Sequence, residues 1–458
     1  MVRLFSVYYP TRILVLIGGE GLIVCASFLV AALLRLGQDS FLVLNYEYGF
    51  YKIIGVTLLA MLCMHYFDLY DLQRINTRGE IWFRLLVVLG LLSFALAGLG
   101  YVFPGFMLGN NTFVVGLIIL TFALFAWRTT YRWLIHLPSL RERIYVLGDG
   151  ARSEWLVETM RKQPELGLEV VGWNGVIGNG PTSRERLGTA LIDQVRKSGV
   201  NRVIVALDDR RGTMPVRELL DLRLSGIKVE EGTGIAEKIS GKVDVDSLSP
   251  SWLIFSEGFK LNVTFMFLRR LLSLTVALVS LVLISPLLPV IALVIKLTSK
   301  GAVFFRQKRV GMNGHVFNCL KFRTMNSNAE ATNGPTWAGS DDPRVTSVGR
   351  YLRLLRLDEI PQLWNVLRGD MGFVGPRPER PEFVEWLTRE IPYYQLRHII
   401  RPGITGWAQI TYQYGASVAE SKEKLKYDLY YIKNLSLSFD LMIMLQTLKI
   451  IILGRGAR

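Results

Sequence analysis

Four apolar stretches fill the first third of this chain, at Ile13–Leu34, Tyr48–Phe67, Leu85–Phe103 and Met107–Leu134. A run of roughly 20 apolar residues is long enough to cross a bilayer as a helix. In hydrocarbon every backbone N–H and C=O must be bonded within the protein, so such runs have almost no choice but to be helical. Half of the 458 residues are hydrophobic and the mean hydropathy is +0.31, which reads as an integral membrane protein with soluble parts and about three domains.

Charge gives the orientation. Arg3 and Arg12 precede the first run, Arg74, Arg78 and Arg84 lie between the second and third, and Arg128, Arg132, Arg141 and Arg143 are counted with the flank of the fourth. The loop Pro104–Thr112 carries no charge, while Arg35 and Lys52 in the first loop are offset by Asp39 and Glu47. The positive-inside rule then places both ends of a four-helix bundle, residues 1–139, in the cytoplasm. Trp127, Tyr131 and Trp133 fit an interfacial belt. The N-terminus shows no cleavable signal, so the first run is expected to remain as an anchor. Glu20 stands inside that run among Gly18, Gly19 and Gly21; the preferred reading is close helix packing on the glycines, with the acid protonated or hydrogen-bonded.

The net charge of +15 calls for anionic partners. With no zinc-finger spacing and no basic helix outside a membrane context, lipid and phosphorylated substrates are expected, not nucleic acid. Cys25, Cys63 and Cys319 make no disulfide framework or CxxC site, and the four histidines are scattered.

From 140 to 257 strands alternate with helices. Arg143–Leu147, Glu169–Trp173 and Arg202–Ala206 read as strands, with helices at 154–162 and Val216–Leu224, which argues a Rossmann-like α/β domain on a parallel sheet. Its fingerprint is incomplete: Gly148-Asp149-Gly150 is followed by Ser153 where a third glycine belongs, and the second strand ends at Trp173-Asn174 without an acid for a ribose. A catalytic nicotinamide is not expected there.

The segment Leu271–Ile295 is long enough to span, yet Arg269 and Arg270 precede it and Lys296, Lys300, Arg306, Lys308 and Arg309 follow it. Positive charge at both ends disfavours translocating either. Ser285-Pro286 interrupts it, and a serine hydroxyl can re-satisfy backbone freed by a proline. A re-entrant helix on the cytoplasmic face is the expectation.

The chemistry is expected in the last domain, 258–458. Leu357-Asp358-Glu359-Ile360-Pro361 sets two carboxylates before a proline. Pro361 disfavours helical geometry at Ile360 and suits the first turn of a new helix, so the pair is expected at a helix junction facing one cavity. Carboxylates near a phosphate-attracting site suggest metal-assisted phosphoryl chemistry. Strand alternation in Phe317–Met325 puts Lys321 and Arg323 on one face, two cations suited to a diphosphate. Asp341-Asp342-Pro343-Arg344 and Gly349-Arg350 lead into a helix with Arg353 and Arg356, and Tyr427–Leu453 reads as interfacial amphipathic helix.

Lys321–Met325, the stretch from Leu357 to Val366, Gly375-Pro376-Arg377-Pro378 and Arg401–Trp407 together resemble the bacterial monotopic phosphoglycosyl transferases, over about Phe265–Gly454. The bundle and the degenerate Rossmann-like domain resemble the large members, more narrowly the sugar transferases of exosortase-associated exopolysaccharide clusters. The resemblance implies transfer of a sugar-1-phosphate from a UDP-sugar to undecaprenyl phosphate, with release of UMP, at the bacterial inner membrane. It implies Asp358 as nucleophile, Glu359 as a Mg²⁺ ligand beside Asp358, and Arg377 with Pro376 and Pro378 at the nucleotide. Lys321, Arg323, Arg344 and Arg353 are the further candidates for substrate phosphates, and Ser285 and Pro286 shape the re-entrant break. Arg356 departs from the serine many members carry there. The sugar, the middle domain's role and any homo-oligomer stay open. Two other classes are compatible with parts of the sequence: a membrane-anchored nucleotide-sugar oxidoreductase or epimerase, and a non-enzymatic export scaffold.

Overall fold

The computed structural model describes residues 1–71, 78–106, 111–135, 137, 140–174, 192–193, 195–207, 214–248, 258–259, 262–325, 344–412 and 417–454. Within these, the chain folds as two compact units, Met1–Val2 with Tyr8–Ala236 and Arg3–Val7 with Glu237–Arg458.

In the first unit the apolar runs become α1 (Thr11–Leu36), α2 (Gly49–Tyr66), α3 (Arg78–Val102) and α4 (Thr112–Ile135). A short helix, Ser40–Tyr46, follows α1. Residues 107–110 of the fourth expected run lie outside the described residues. The inner faces share one core that includes Val24, Phe28, Val56, Leu85, Leu92 and Leu120, while Leu22, Phe94 and Phe122 point outward. Each helix is thus apolar on both sides, as a helix facing lipid must be. These four, together with a fifth in the second unit, are long and apolar enough to cross a membrane.

Glu20 is fully buried in the bundle and hydrogen-bonded, as expected, but its partner is a charge: Arg128 donates from Nε to Oε1 at 2.6 Å and from Nη2 to Oε2 at 3.2 Å. Arg128 also donates to the Leu69 carbonyl at 3.3 Å. Counting Arg128 with the cytoplasmic flank was therefore wrong; it is an interior cation of α4.

The same unit carries a parallel sheet in the order β2-β1-β3-β4, with β1 (Glu142–Leu147), β2 (Leu168–Asn174), β3 (Arg202–Val205) and β4 (Lys228–Glu231), the last not anticipated. Helices α5 (Ala151–Lys162) and α6 (Val216–Leu224) connect it. Gly148 has φ +150° and a Cβ there would stand 2.4 Å from the Ala206 carbonyl oxygen, so only glycine fits. Ser153, where the third glycine was missed, is fully buried and donates to Gly150 O at 2.7 Å. Trp173 at the end of β2 donates its indole N–H to Gly148 O at 2.7 Å.

The second unit starts with α7 (Val263–Ile284) and α8 (Leu287–Thr298), separated at Ser285-Pro286. Ser285 Oγ donates to Val282 O at 2.8 Å, the backbone repair expected at the break. Arg269 and Arg270, which precede the apolar run, lie within α7, because the helix begins at Val263. A hairpin, β5 (Phe304–Val310) and β6 (Val316–Phe322), follows; then α9 (Ser347–Leu354), α10 (Gln362–Arg368), β7 (Gly372–Val374) and β8 (Gly403–Thr405), the last two parallel. The tail expected as one interfacial run is instead two helices. In α11 (Val418–Lys433) Leu425, Leu429, Tyr430 and Tyr431 are core residues; α12 (Leu437–Ile452) buries Phe439 and Ile443 but exposes Leu441, Leu445, Leu448 and Ile452.

Candidate active site

Asp358 and Glu359 occupy a single 3-10 turn, Leu357–Glu359, between α9 and α10. The junction was expected, but its cause is different. Ile360 is helical, at φ −53° and ψ −41°; the chain turns instead at Arg356, which is left-handed at φ 57°. A non-glycine residue held there is a strained backbone position of the kind that marks functional sites.

Both carboxylates are buried, at 8% and 9% exposure. Glu359 Oε1 accepts from Lys321 Nζ and from Arg377 Nη2, each at 2.8 Å. Burial alone would push the pKa of Glu359 up, but Arg377 and Lys321 outweigh it and hold Glu359 well below the usual carboxylate range. Asp358 goes the other way. Burial raises it, against the pull of Lys321, and the adjacent Glu359 charge adds to the rise. Two neighbouring carboxylates are thereby driven apart, the pattern of residues with different jobs.

The supporting contacts explain the motifs. Asn365 on α10 accepts from Leu320 N at 2.9 Å and donates to Asn318 O at 2.8 Å, which fixes β6 and hence Lys321 against the dyad turn. Arg377 is placed through its own backbone: Arg397 donates to Arg377 O at 3.0 Å and pairs with buried Asp428 at 2.8 Å. Pro378 O accepts from Arg309 at 2.9 Å, and Pro376 O accepts from Gly403 N at 2.9 Å. Gly375 and Gly403 touch so closely that a Cβ on Gly403 would lie 2.1 Å from Gly375 N. Gly375-Pro376-Arg377-Pro378 and Arg401–Trp407 are therefore one interlocked unit. Asn365, Arg397 and Asp428 were missed, and only the asparagine inside the Leu357–Val366 motif gave any signal.

Of the other candidates, Arg353 Nε donates to Thr324 Oγ1 at 3.0 Å and its charge bears on Asp358. Arg323 lies just beyond β6, and its Nη2 reaches Ser299 O and Oγ, both at 2.8 Å. Arg344 stands at a turn before Val345, which bridges to Met325; Asp341, Asp342 and Pro343 lie outside the described residues. Arg269 of α7 donates to Asp440 Oδ2 at 2.8 Å, to Val374 O at 2.6 Å and to the Tyr431 hydroxyl. Arg270 donates to Val366 O at 2.6 Å and Leu367 O at 3.0 Å, the last carbonyls of α10. Flank charges in the sequence are thus bolts in the fold.

A buried aspartate, a cation-held glutamate and a proline-braced arginine thus come together on a mixed core bonded to an apolar helix, an arrangement suited to phosphorylated substrates. Residues 264–454 match the bacterial sugar transferase family, and the chain belongs to it. It is 42% identical over 243 residues to the UDP-N-acetylgalactosamine-undecaprenyl-phosphate N-acetylgalactosaminephosphotransferase of Aeromonas hydrophila, covering 53% of this chain and 56% of that one. It is 35% identical over 322 residues to the UDP-glucose:undecaprenyl-phosphate glucose-1-phosphate transferase of Escherichia coli K12, covering 69% of this chain and 68% of that one. The exopolysaccharide production protein ExoY of Sinorhizobium fredii is 37% identical over 203 residues, 41% of this chain and 87% of ExoY. The chain thus spans between about half and nine-tenths of these relatives' lengths.

Proposed function

We propose that this protein transfers a sugar-1-phosphate from a UDP-sugar to undecaprenyl phosphate, releasing UMP, as an early membrane step of exopolysaccharide or O-antigen synthesis. The names of the relatives and the site's chemistry both support it. The observation that carries the mechanism is the split dyad, with Asp358 free of a direct cation partner among the hydrogen bonds described and Glu359 held by two. The Asp358 carboxylate attacks the β-phosphorus of the UDP-sugar. A new P–O bond forms, the bridging P–O bond breaks, and UMP leaves. The lipid phosphate then attacks the same phosphorus and restores the carboxylate. A carboxylate is a competent covalent nucleophile for phosphoryl groups.

Lys321 and Arg377 flank the position where phosphate charge shifts during the first step, and their fixed placement is what makes them effective. Mg²⁺ fits the donors: hard carboxylate oxygens from Asp358 and Glu359, completed by substrate phosphates, are its usual set. When bound it would neutralise diphosphate charge. No cluster of three or more acidic, histidine or cysteine ligands occurs among the described residues, so substrate phosphates and water would supply the rest.

The α7–α8 segment supports a particular membrane placement. Near one end Arg269 and Arg270 are bonded to Val374, Asp440, Val366 and Leu367; at the other, Ser299 is bonded to Arg323. One mixed fold holds both ends, and it cannot occupy both faces of a bilayer. This supports re-entry on a single face, which the positive flanks assign to the cytoplasm, with the four N-terminal helices as spans.

Membranes holding the protein are supplied with radiolabelled UDP-glucose, UDP-galactose and N-acetylated UDP-sugars. Label moving into organic solvent together with UMP release is expected; label that stays aqueous for every donor would refute the reading. Covalent capture is tested by brief incubation without lipid acceptor, which should leave label on the protein.

A further inference from the structure

Arg323 is a buried cation that the chemistry above does not use. It is 9% exposed, and although Nη2 is held by Ser299, its Nε and Nη1 are buried with no hydrogen-bond partner among the described residues. A guanidinium stays charged at every physiological pH, and leaving two of its N–H groups dry is costly. Buried donors of this kind are normally satisfied, so the gap points to an absent anion.

We infer that Arg323 forms a separate subsite for the phosphate monoester of the lipid acceptor, an assignment that rests on the transferase reading above. Three observations favour the acceptor over the nucleotide. Ser299 caps the C-terminal end of α8, which exposes the apolar Val290, Leu293, Val294 and Leu297 and, at its last turn, Lys296 and Thr298, so a ligand there meets cationic groups at the foot of a largely apolar wall. Lys321 and Arg377 are already committed to Glu359, whereas Arg323 is not bonded to it. Arg323 is two residues beyond Lys321, hence on its side of the chain, and adjoins Thr324, which holds Arg353 beside Asp358. A lipid phosphate on Arg323 would therefore lie next to the phosphorus carried by Asp358. Its oxygen forms the new P–O bond as the bond to Asp358 breaks; as a dianion it has no proton to shed.

The test uses the full chain in lipid nanodiscs, with Arg323→Gln and Arg323→Lys. Arg323→Gln is expected to raise the KM for undecaprenyl phosphate by roughly tenfold or more, the size of one lost charged contact. The KM for UDP-sugar and the UMP released before acceptor is added should stay within about twofold. Arg323→Lys, which keeps the charge but not the fork, should show the same split at smaller size and covers a failure of the glutamine variant to fold. A raised UDP-sugar KM, or lost early UMP release, would place Arg323 on the donor instead. Unchanged KM values with a lowered melting temperature would make it a structural cation only. If wild type releases no UMP without acceptor, the covalent role of Asp358 fails, while the comparison of the two KM values still decides Arg323.

Discussion

Two buried acids in this molecule have contrasting surroundings. Glu20 in the bundle meets one arginine, and Arg128 answers both of its oxygens. In the second unit, Lys321 and Arg377 converge on Glu359, leaving Asp358 buried and shifted upward next to it. The first arrangement is balanced and serves assembly. The second is unequal: Glu359 takes two cations, while Asp358 takes none among the hydrogen bonds described, the asymmetry on which the proposed nucleophile rests. Burial of charge by itself does not mark chemistry; an uneven distribution of partners does.

The strongest way to break this contrast is at Asp358. Asp358→Asn should lower lipid-linked transfer by at least about 10³-fold, near 4 kcal/mol of barrier, because an amide cannot form the intermediate. Its melting temperature should match wild type, and retention of near-normal transfer would remove Asp358 as nucleophile. At the balanced node the effects should be reversed. Arg128→Ala leaves the buried Glu20 carboxylate without its cation and should cost about 3 kcal/mol of stability, seen as a lowered melting temperature, while the protein that remains folded turns over normally. A large loss of kcat at unchanged melting temperature would give Glu20 a catalytic part. Glu359→Gln should cost about 10²-fold in rate, as expected for one lost electrostatic group, with partial recovery in excess Mg²⁺.

Acidity sharpens the comparison further. Because the folded environment raises Asp358 above its ordinary 3.8, the reactive carboxylate is lost on acidification earlier than a free aspartate would be. The acid limb of kcat should accordingly lie above that value. In Glu359→Gln the adjacent negative charge is gone, so the limb of the residual activity should move to lower pH; a shift upward would contradict the assigned cause. The smallest effect is expected in the Rossmann-like domain. Ser153→Ala should leave the UDP-sugar KM unchanged, and purified protein should show no nicotinamide absorbance; either signal would return the middle domain to the reaction.

What the sequence made legible was local. Hydrophobic runs, the apolar strand Arg143–Leu147, the strand alternation in Phe317–Met325 and the Asp358-Glu359-Ile360-Pro361 order each announce an element through neighbours a few residues apart. What it hid was set by distant partners. Arg128 and Glu20 are 108 positions apart, and Arg269 and Asp440 are 171 apart, so each charge alone resembles an ordinary membrane flank. The break before the dyad was misplaced at Ile360 because proline chemistry is visible in sequence, whereas the left-handed Arg356 is imposed by packing that has no one-residue signature.

The α7–α8 segment has a mechanical consequence. In the re-entrant placement proposed here it is a two-legged truss, each leg pinned to the same foundation, one through Arg269 and Arg270 and the other through Ser299. The knee at Ser285-Pro286 is then where a thicker or thinner leaflet bends it. The load is carried down the first leg to Arg270, which grips the end of α10, the helix that starts just after the dyad. In that placement the bilayer and the dyad's helix share one mechanical path, from the knee through Arg270 to α10.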